Sequence, residues 1–246
     1  MNSTAVVRFC NSILIDKGFE CHPFQVGWYN DSIISDRYRL QFDNDILAML
    51  VISAPRMFET TFIPWLRERK DNLSDILDPI DECMREVFDE FKKQLNPSLE
   101  IEVIHDYEMI QGRYPRVLMN TAGHVSGAAR YYQKSELDGL YLDKRLIGVS
   151  IHPKYGGWFA FRSVLVFPQV IATDLQKHQF KQDPTISKEI IYRLLNSFTN
   201  EWKKNEWRDA FVEVEEKYSP MQKEYFSRTP KERRQLLTDW IEEGKL

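Results

Sequence analysis

The sequence predicts an α+β fold, a mainly antiparallel sheet flanked by helices on both sides in chain order. Three observations predict it. Ile46 to Ala54 is apolar on both faces and stops at Pro55, as a central strand buried on both sides does. Leu146 to His152, the turn Pro153-Lys154-Tyr155-Gly156-Gly157 and Trp158 to Phe167 read as two strands of a hairpin. Helical periodicity precedes and follows these strands.

The elements follow in order. Val6, Val7, Cys10, Ile13 and Leu14 share one helical face behind the cap candidates Ser3 and Thr4, and Gly18 closes that helix. After the Ile46 strand, Phe58 to Arg69 is helical. Ile80, Cys83, Met84, Val87, Phe88, Phe91 and Leu95 then line one side of an amphipathic helix. Leu99, Ile101 and Val103 alternate with Glu100 and Glu102 as a half-buried strand does. Arg116 to Asn120, after Pro115, reads as a strand, and Thr121 to Lys134 as a helix. Ile190, Ile191, Leu194, Leu195, Phe198 and Trp202 mark a helix in the carboxyl-terminal part, and Met221 to Phe226 and Glu232 to Ile241 mark two more. No repeat or linker interrupts the chain, so residues 1–246 are expected to form one domain, with a helical segment 184–246 packing on the sheet core.

At 246 residues the chain is long enough to bury a substantial core. Fifteen Phe, eleven Tyr and six Trp supply either that core or the lining of an apolar cavity. Lys and Arg number 33 against 37 Asp and Glu, with no basic stripe, which excludes a nucleic-acid binder as the expected class. The longest apolar run is too short to span a bilayer, and MNSTAVVRFC lacks the apolar stretch of a signal peptide. A cytoplasmic protein with no membrane partner is expected. Cys10, Cys21 and Cys83 have no metal-ligand spacing and are expected to be reduced and structural.

Nucleophile-elbow, Walker-loop, HExxH and GxGxxG signatures are missing. His22, His105, His124, His152 and His178 are scattered without ligand spacing, and the His105/Glu108 pair at a strand end reads as surface rather than metal site. No protein side chain is expected to hold a metal or to act as a covalent nucleophile. Arg162 interrupts an almost wholly apolar strand, and by alternation shares a face with Trp158, Ala160 and Val164. A buried guanidinium needs an anionic partner, either an internal Asp or Glu or a carboxylate-bearing ligand. Arg208, in NEWRDAF, raises the same question. His124-Val125-Ser126-Gly127 carries the His-x-x-Gly part of the cobalt-ligating Asp-x-His-x-x-Gly pattern, but Ala122 stands where the Asp that fixes the imidazole tautomer would be. Tyr131, Tyr132 and Gln133 offer hydroxyl and amide groups able to grip carboxamide side chains.

The segments HPFQVGWYN (22–30), TAGHVSGAARYYQ (121–133), IGVSIHPKYGGWFAFR (147–162), WRDAF (207–211) and KYS…QKEYFS (217–227) resemble the CblC family, colinearly from about Phe19 to Arg233. In people, this is the family whose loss causes combined methylmalonic aciduria and homocystinuria of type C. The resemblance, to an invertebrate-like member, implies a flavin-nitroreductase-like fold with a large ligand cavity. It also implies base-off binding of cobalamin, glutathione-dependent dealkylation of alkylcobalamins, and reductive decyanation of cyanocobalamin with reduced FMN or FAD. A glutathione oxidase side activity goes with these. It places cobalamin contacts at Asp106, Val117, Leu118, Met119, Asn120, Tyr131, Tyr132, Gln133, Ser150 and Phe161, with His124 shaping the cavity beside them. It places glutathione at Arg162, Arg208 and Arg233, and implies a CblD-type adaptor and methionine synthase as partners. Two departures stand out. Ser150 replaces a cysteine of the mammalian members, which is expected to shift the balance between dealkylation and thiol oxidation. The chain stops at Leu246, so the contacts of their Pro-rich carboxyl-terminal tail are not expected.

Overall fold

A computed structural model describes residues 2–137, 139, 145–180 and 183–246. Helix α1 (Ser3–Leu14) is capped by Asn2, whose Oδ1 accepts the Ala5 amide at 2.9 Å, while Ser3, one of the expected caps, hydrogen-bonds Asp174 instead. Strand β1 (Phe19–Gln25) and helix α2 (Val26–Asp31) follow. Strand β2 (Ile46–Ser53) is buried at every residue, as its two-sided apolar pattern requires. A π-helical turn (Phe58–Phe62) runs into α3 (Ile63–Glu68), and α4 (Pro79–Gln94) buries Ile80, Cys83, Met84, Phe88 and Phe91. Then come β3 (Glu102–His105), the small pair β4 (Met109–Ile110) and β5 (Tyr114–Pro115), α5 (Met119–Val125), β6 (Arg130–Tyr132), β7 (Val149–Ile151) and β8 (Ala160–Ile171). Helices α6 (Lys188–Glu201), α7 (Pro220–Ser227) and α8 (Pro230–Glu242) end the chain.

The central sheet has the order β1-β2-β8-β3 and is antiparallel throughout. Helices α1, α3, α4, α7 and α8 cover one face, where Leu47, Met49, Val51, Leu165 and Phe167 meet Phe62, Phe88, Tyr225 and Trp240. The other face, with Ala48, Leu50, Ile52, Val164 and Val166, packs against Tyr29 of α2 and Ala122 and Val125 of α5. A smaller cluster joins β6, β7 and α6 through Tyr132, Ile151 and Leu194. No helix of the described residues is long and apolar enough to cross a membrane.

Four expectations need correction. The Arg116–Asn120 strand is absent beyond Pro115, because the chain turns into α5 at Met119. The helix expected over Thr121–Lys134 stops at Val125, where Gly127 takes a positive φ of 78° and releases the chain into β6. The hairpin does not close: β7 pairs with β6, β8 pairs with β2 and β3, and a lone bridge from His152 to Gly156 remains of it. Arg162 does not share a face with Val164. Phe161 pairs with Ile52 and Ser163 with Val51, so Arg162 is the extra residue of a β-bulge, which turns it toward α4 and α7. Strand β1 has no counterpart among the expectations, because Glu20, His22 and Pro23 break its apolar alternation.

Candidate functional site

An open cleft of about 500 Å³ lies between the loop after α2, the end of β3, the start of α5 and β6. Asp106, Val117, Leu118, Met119, Asn120, Tyr131 and Gln133 line it, so seven of the expected cobalamin contacts converge on one space. Strand β6 presents Tyr131 to the cleft and therefore turns Tyr132 away. Tyr132 is 4 % exposed and packs with Phe211 and Leu137, so it does not line the cleft. Ser150 pairs with Tyr131 across β6 and β7, and its hydroxyl donates to Asn120 Oδ1 at 2.8 Å, which holds Asn120 at the cleft wall. Phe161 packs on α5: a Cβ at Gly123 would come within 2.7 Å of its ring, so the glycine makes room for it.

His124 Nδ1 accepts the Tyr131 amide at 3.3 Å. A neutral ring in that arrangement carries its proton on Nε2, which is then a donor rather than a lone pair for cobalt. Burial, with Arg130 adding to it, lowers the pKa of His124 and keeps the ring neutral. The loop Ser32–Tyr38 also lines the cleft, with Ile34 fully exposed; it has no periodic signal that sequence reasoning could use.

The arginines lie on the other side of Asp106. The Asp106 amide donates to the Arg162 carbonyl at 3.0 Å. Arg162 is 5 % exposed, and among the described residues its guanidinium makes one hydrogen bond, from Nε to Ser53 Oγ at 2.9 Å. Arg233 lies over the Tyr225 ring at 4.8 Å, and both arginines act on Tyr225 and Asp81. Arg208 donates to the Gly157 carbonyl and to Asn205 Oδ1, and stacks over Trp207 at 4.4 Å and Tyr218 at 5.1 Å. Tyr218 in turn packs on Phe226, over which Arg233 also lies, so an aromatic row connects Arg208 to Arg233. Burial raises the pKa of Asp106 to about 6 against the pull of Arg162. It raises that of Asp81 to about 7, with Asp78 and Asp106 adding to it and Arg162 and Arg233 opposing.

Two of the scattered histidines meet in space. His22 Nε2 lies 3.3 Å and His152 Nε2 3.6 Å from Glu20 Oε2, and the Tyr155 hydroxyl donates to Glu20 Oε1 at 2.6 Å. Burial opposes ionisation of Glu20, but the nearby His152 and His22 rings and the Tyr155 hydroxyl outweigh it and hold the carboxyl well below the usual range. Ligand atoms of Glu20, His22 and His152 lie within 4.8 Å of one another. His152 Nδ1, however, accepts the Lys154 and Tyr155 amides, so its Nε2 bears hydrogen and faces Glu20 as a donor. In this form the cluster is a carboxylate held by the Tyr155 hydroxyl and faced by two imidazoles, and His22 Nε2 has no hydrogen-bond partner among the described residues. His105 and Glu108 are tied by the His105 amide to Glu108 Oε1, which shapes the turn after β3.

This arrangement can be set beside known proteins. A profile of the Methylmalonic aciduria and homocystinuria type C family matches residues 18–237. The chain belongs to this family. A Danio rerio member called cyanocobalamin reductase / alkylcobalamin dealkylase is 41 % identical over 96 % of this chain and 93 % of its own. A Homo sapiens member with the same description is 38 % identical over 89 % of this chain and 76 % of its own. The crystal structure of a C. elegans B12-trafficking protein, CblC, superposes with a TM-score of 0.87 at 32 % identity, covering 97 % of this chain and 96 % of that one. The type C family fold therefore extends over nearly the whole chain.

Proposed function

We propose that this protein is a cobalamin-processing enzyme that binds the corrinoid in the Asp106–Gln133 cleft and removes its upper axial ligand. Membership of the type C family and the description of its relatives as cyanocobalamin reductase / alkylcobalamin dealkylase support the reaction class. One observation carries the assignment to this site. Asp106 lines the cleft and is hydrogen-bonded through its amide to Arg162, so a corrinoid and a thiol cosubstrate held by the arginines would meet there.

For alkylcobalamins the cosubstrate is glutathione, with its carboxylates on Arg162, Arg208 and Arg233. The thiol loses its proton to solvent and the thiolate sulfur attacks the upper alkyl carbon. The S–C bond forms as the Co–C bond breaks, and the bonding pair stays on cobalt, leaving a thioether and cob(I)alamin. The protein contributes mainly by positioning the nucleophile, and no side chain forms a covalent intermediate. His124 does not line the cleft; its Nδ1 holds the Tyr131 amide behind the wall, and with hydrogen on Nε2 it is not a cobalt ligand in this reading.

For cyanocobalamin, reduced FMN or FAD would supply the electron that takes Co(III) to Co(II), cyanide leaving with its bonding pair, while Val117–Met119, Asn120 and Gln133 hold the corrinoid in the cleft. The same reading includes a nitroreductase-like architecture around the two-sided sheet with a large ligand cavity, one domain over residues 1–246, and a thiol oxidase side activity. It also includes a cytoplasmic location, and delivery through a CblD-type adaptor to methionine synthase.

The test adds methylcobalamin to the purified protein, follows the visible spectrum, and then adds glutathione with and without oxygen. The expected result is a base-off shift followed by thiol-dependent loss of the methyl group. A shift with no demethylation would leave only a carrier, and tight flavin binding with no shift would point to an oxidoreductase of another substrate. Arg162→Ala should lower the rate at least tenfold at fixed glutathione and leave the corrinoid shift intact; an unchanged rate would sink the arginine assignment.

A further inference from the structure

Between α4, α7, α8 and the β8 bulge lies a cluster with more negative than positive charge. Asp78 is the residue before α4 and makes no side-chain cap hydrogen bond; Asp81 is in its first turn, and Asp106 follows β3. Facing them are Arg162 and Arg233. Three carboxylates thus meet two guanidinium groups, and one negative charge is left over when all are ionised. Among the described residues none of these acids makes a direct ion pair with either arginine, and an open pocket of about 560 Å³ reaches Asp78 and Asp81 from the α8 side.

The orphaned atoms point the same way. Asp78 Oδ1, Asp106 Oδ1 and the Tyr225 hydroxyl are buried with no hydrogen-bond partner. Tyr225 is 0 % exposed and feels Arg233, Asp78, Arg162 and Asp81 together, so its hydroxyl belongs to the same space. The two unpaired carboxylate oxygens call for a donor, and the Tyr225 hydroxyl can donate or accept. The remaining charged neighbours do not supply it: Arg85 is paired with Glu82, and Lys231 and Arg234 stand exposed at the outer rim beside Asp78 and Asp81.

We propose that Asp78, Asp81 and Asp106 receive an ammonium group, so that with Arg162 and Arg233 the site takes an amino-acid zwitterion, the γ-glutamyl end of glutathione. This rests on the glutathione reading above and adds what selects the ligand within it. A ligand with carboxylates alone would satisfy the arginines and meet the surplus acid at close range. A zwitterion supplies the missing donor and neutralises that acid in the same event. Asp81 and Asp106, which burial biases toward their neutral forms, would ionise as the ammonium arrives, so binding near pH 6.5 releases protons.

The test is calorimetric, on the cobalamin-loaded protein at pH 7.5. It compares glutathione, its analogue lacking the α-amino group (glutaryl-cysteinylglycine), and γ-glutamylcysteine, which keeps the amino group and lacks the glycine. The des-amino analogue should bind on the order of tenfold or more weakly than glutathione, as loss of a charged hydrogen bond implies. Asp81→Asn and Asp106→Asn should shrink that ratio to about threefold or less, with melting curves checking that both variants fold; the ligand comparison on the unaltered protein needs neither. Equal binding of glutathione and the des-amino analogue would overturn the ammonium assignment while leaving the glutathione reading in place. If neither glutathione nor γ-glutamylcysteine binds, both readings fall.

Discussion

Arg162 shows how one inserted residue changes what a side chain can do. In regular alternation it would face α5 with Val164, away from every acid in the α4 cluster; the bulge turns it toward Asp81 and Asp106. A buried guanidinium was expected to need either internal acids or an anionic ligand, and internal carboxylates are within electrostatic reach of it. They come at a cost in stability, because both acids hold protons more tightly in the folded chain than their ordinary value of 3.8. A carboxyl whose folded pKa is raised binds more protons folded than unfolded, so its contribution to stability falls as pH rises from about 4 to about 7. Asp81→Asn removes that dependence. Its melting temperature relative to the unaltered chain should therefore be higher at pH 7.5 than at pH 5; an identical difference at both values would show that Asp81 does not titrate in this window. Ser150→Ala, which breaks the bond to Asn120, should cost roughly 1 kcal/mol in chemical denaturation and weaken corrinoid binding more than glutathione binding.

Among the elements, the segment between β7 and β8 is where local pattern and actual pairing part. Leu146–His152 and Trp158–Phe167 have hairpin character with a Gly-Gly turn between them, yet the turn holds Arg208 instead of closing a hairpin. Gly156 has a φ of 56°, and a Cβ there would lie 2.1 Å from the Arg208 carbonyl oxygen. Gly156→Ala should destabilise the fold by about 1–3 kcal/mol and impair glutathione binding more than corrinoid binding, read as separate titrations. Helix α8 carries a capping box, with Thr229 and Glu232 each bonding the other's backbone. Thr229→Ala should cost about 1 kcal/mol and lower the melting temperature by roughly 2–4 °C, loosening the turn that presents Arg233. The helices were legible because their apolar stripes are long, as α4 and α6 show. Strand β6, with three residues between a glycine turn and a polar loop, leaves no period to read.

For the whole molecule, the two faces of one sheet serve different ligands in this reading: the α2/α5 side forms the corrinoid cleft and the α4/α8 side the zwitterion site. Asp106 connects them at the end of β3. Ligand binding should then stabilise the sheet as a unit. Cobalamin at a hundredfold excess over its Kd contributes about 2.7 kcal/mol, a rise of roughly 5–10 °C in melting temperature. Glutathione should add a further shift with cobalamin present; no shift with either ligand would argue against both sites.

By itself the sequence determined the buried central strand β2, the amphipathic helices α1, α4, α6 and α8, and a resemblance strong enough to nominate the cleft residues by position. The strand and helices depend on apolar spacing along the chain, which a sequence displays directly, and the cleft residues were nominated only through the family resemblance. Tertiary structure alone decided the partner of β7, the face of Arg162, the withdrawal of Tyr132 from the cleft, and the meeting of Asp78, Asp81 and Asp106 around two arginines. Each of these depends on which distant strand supplies a hydrogen-bonding edge, and a one-residue bulge or a glycine at positive φ reverses the answer with almost no change in local pattern.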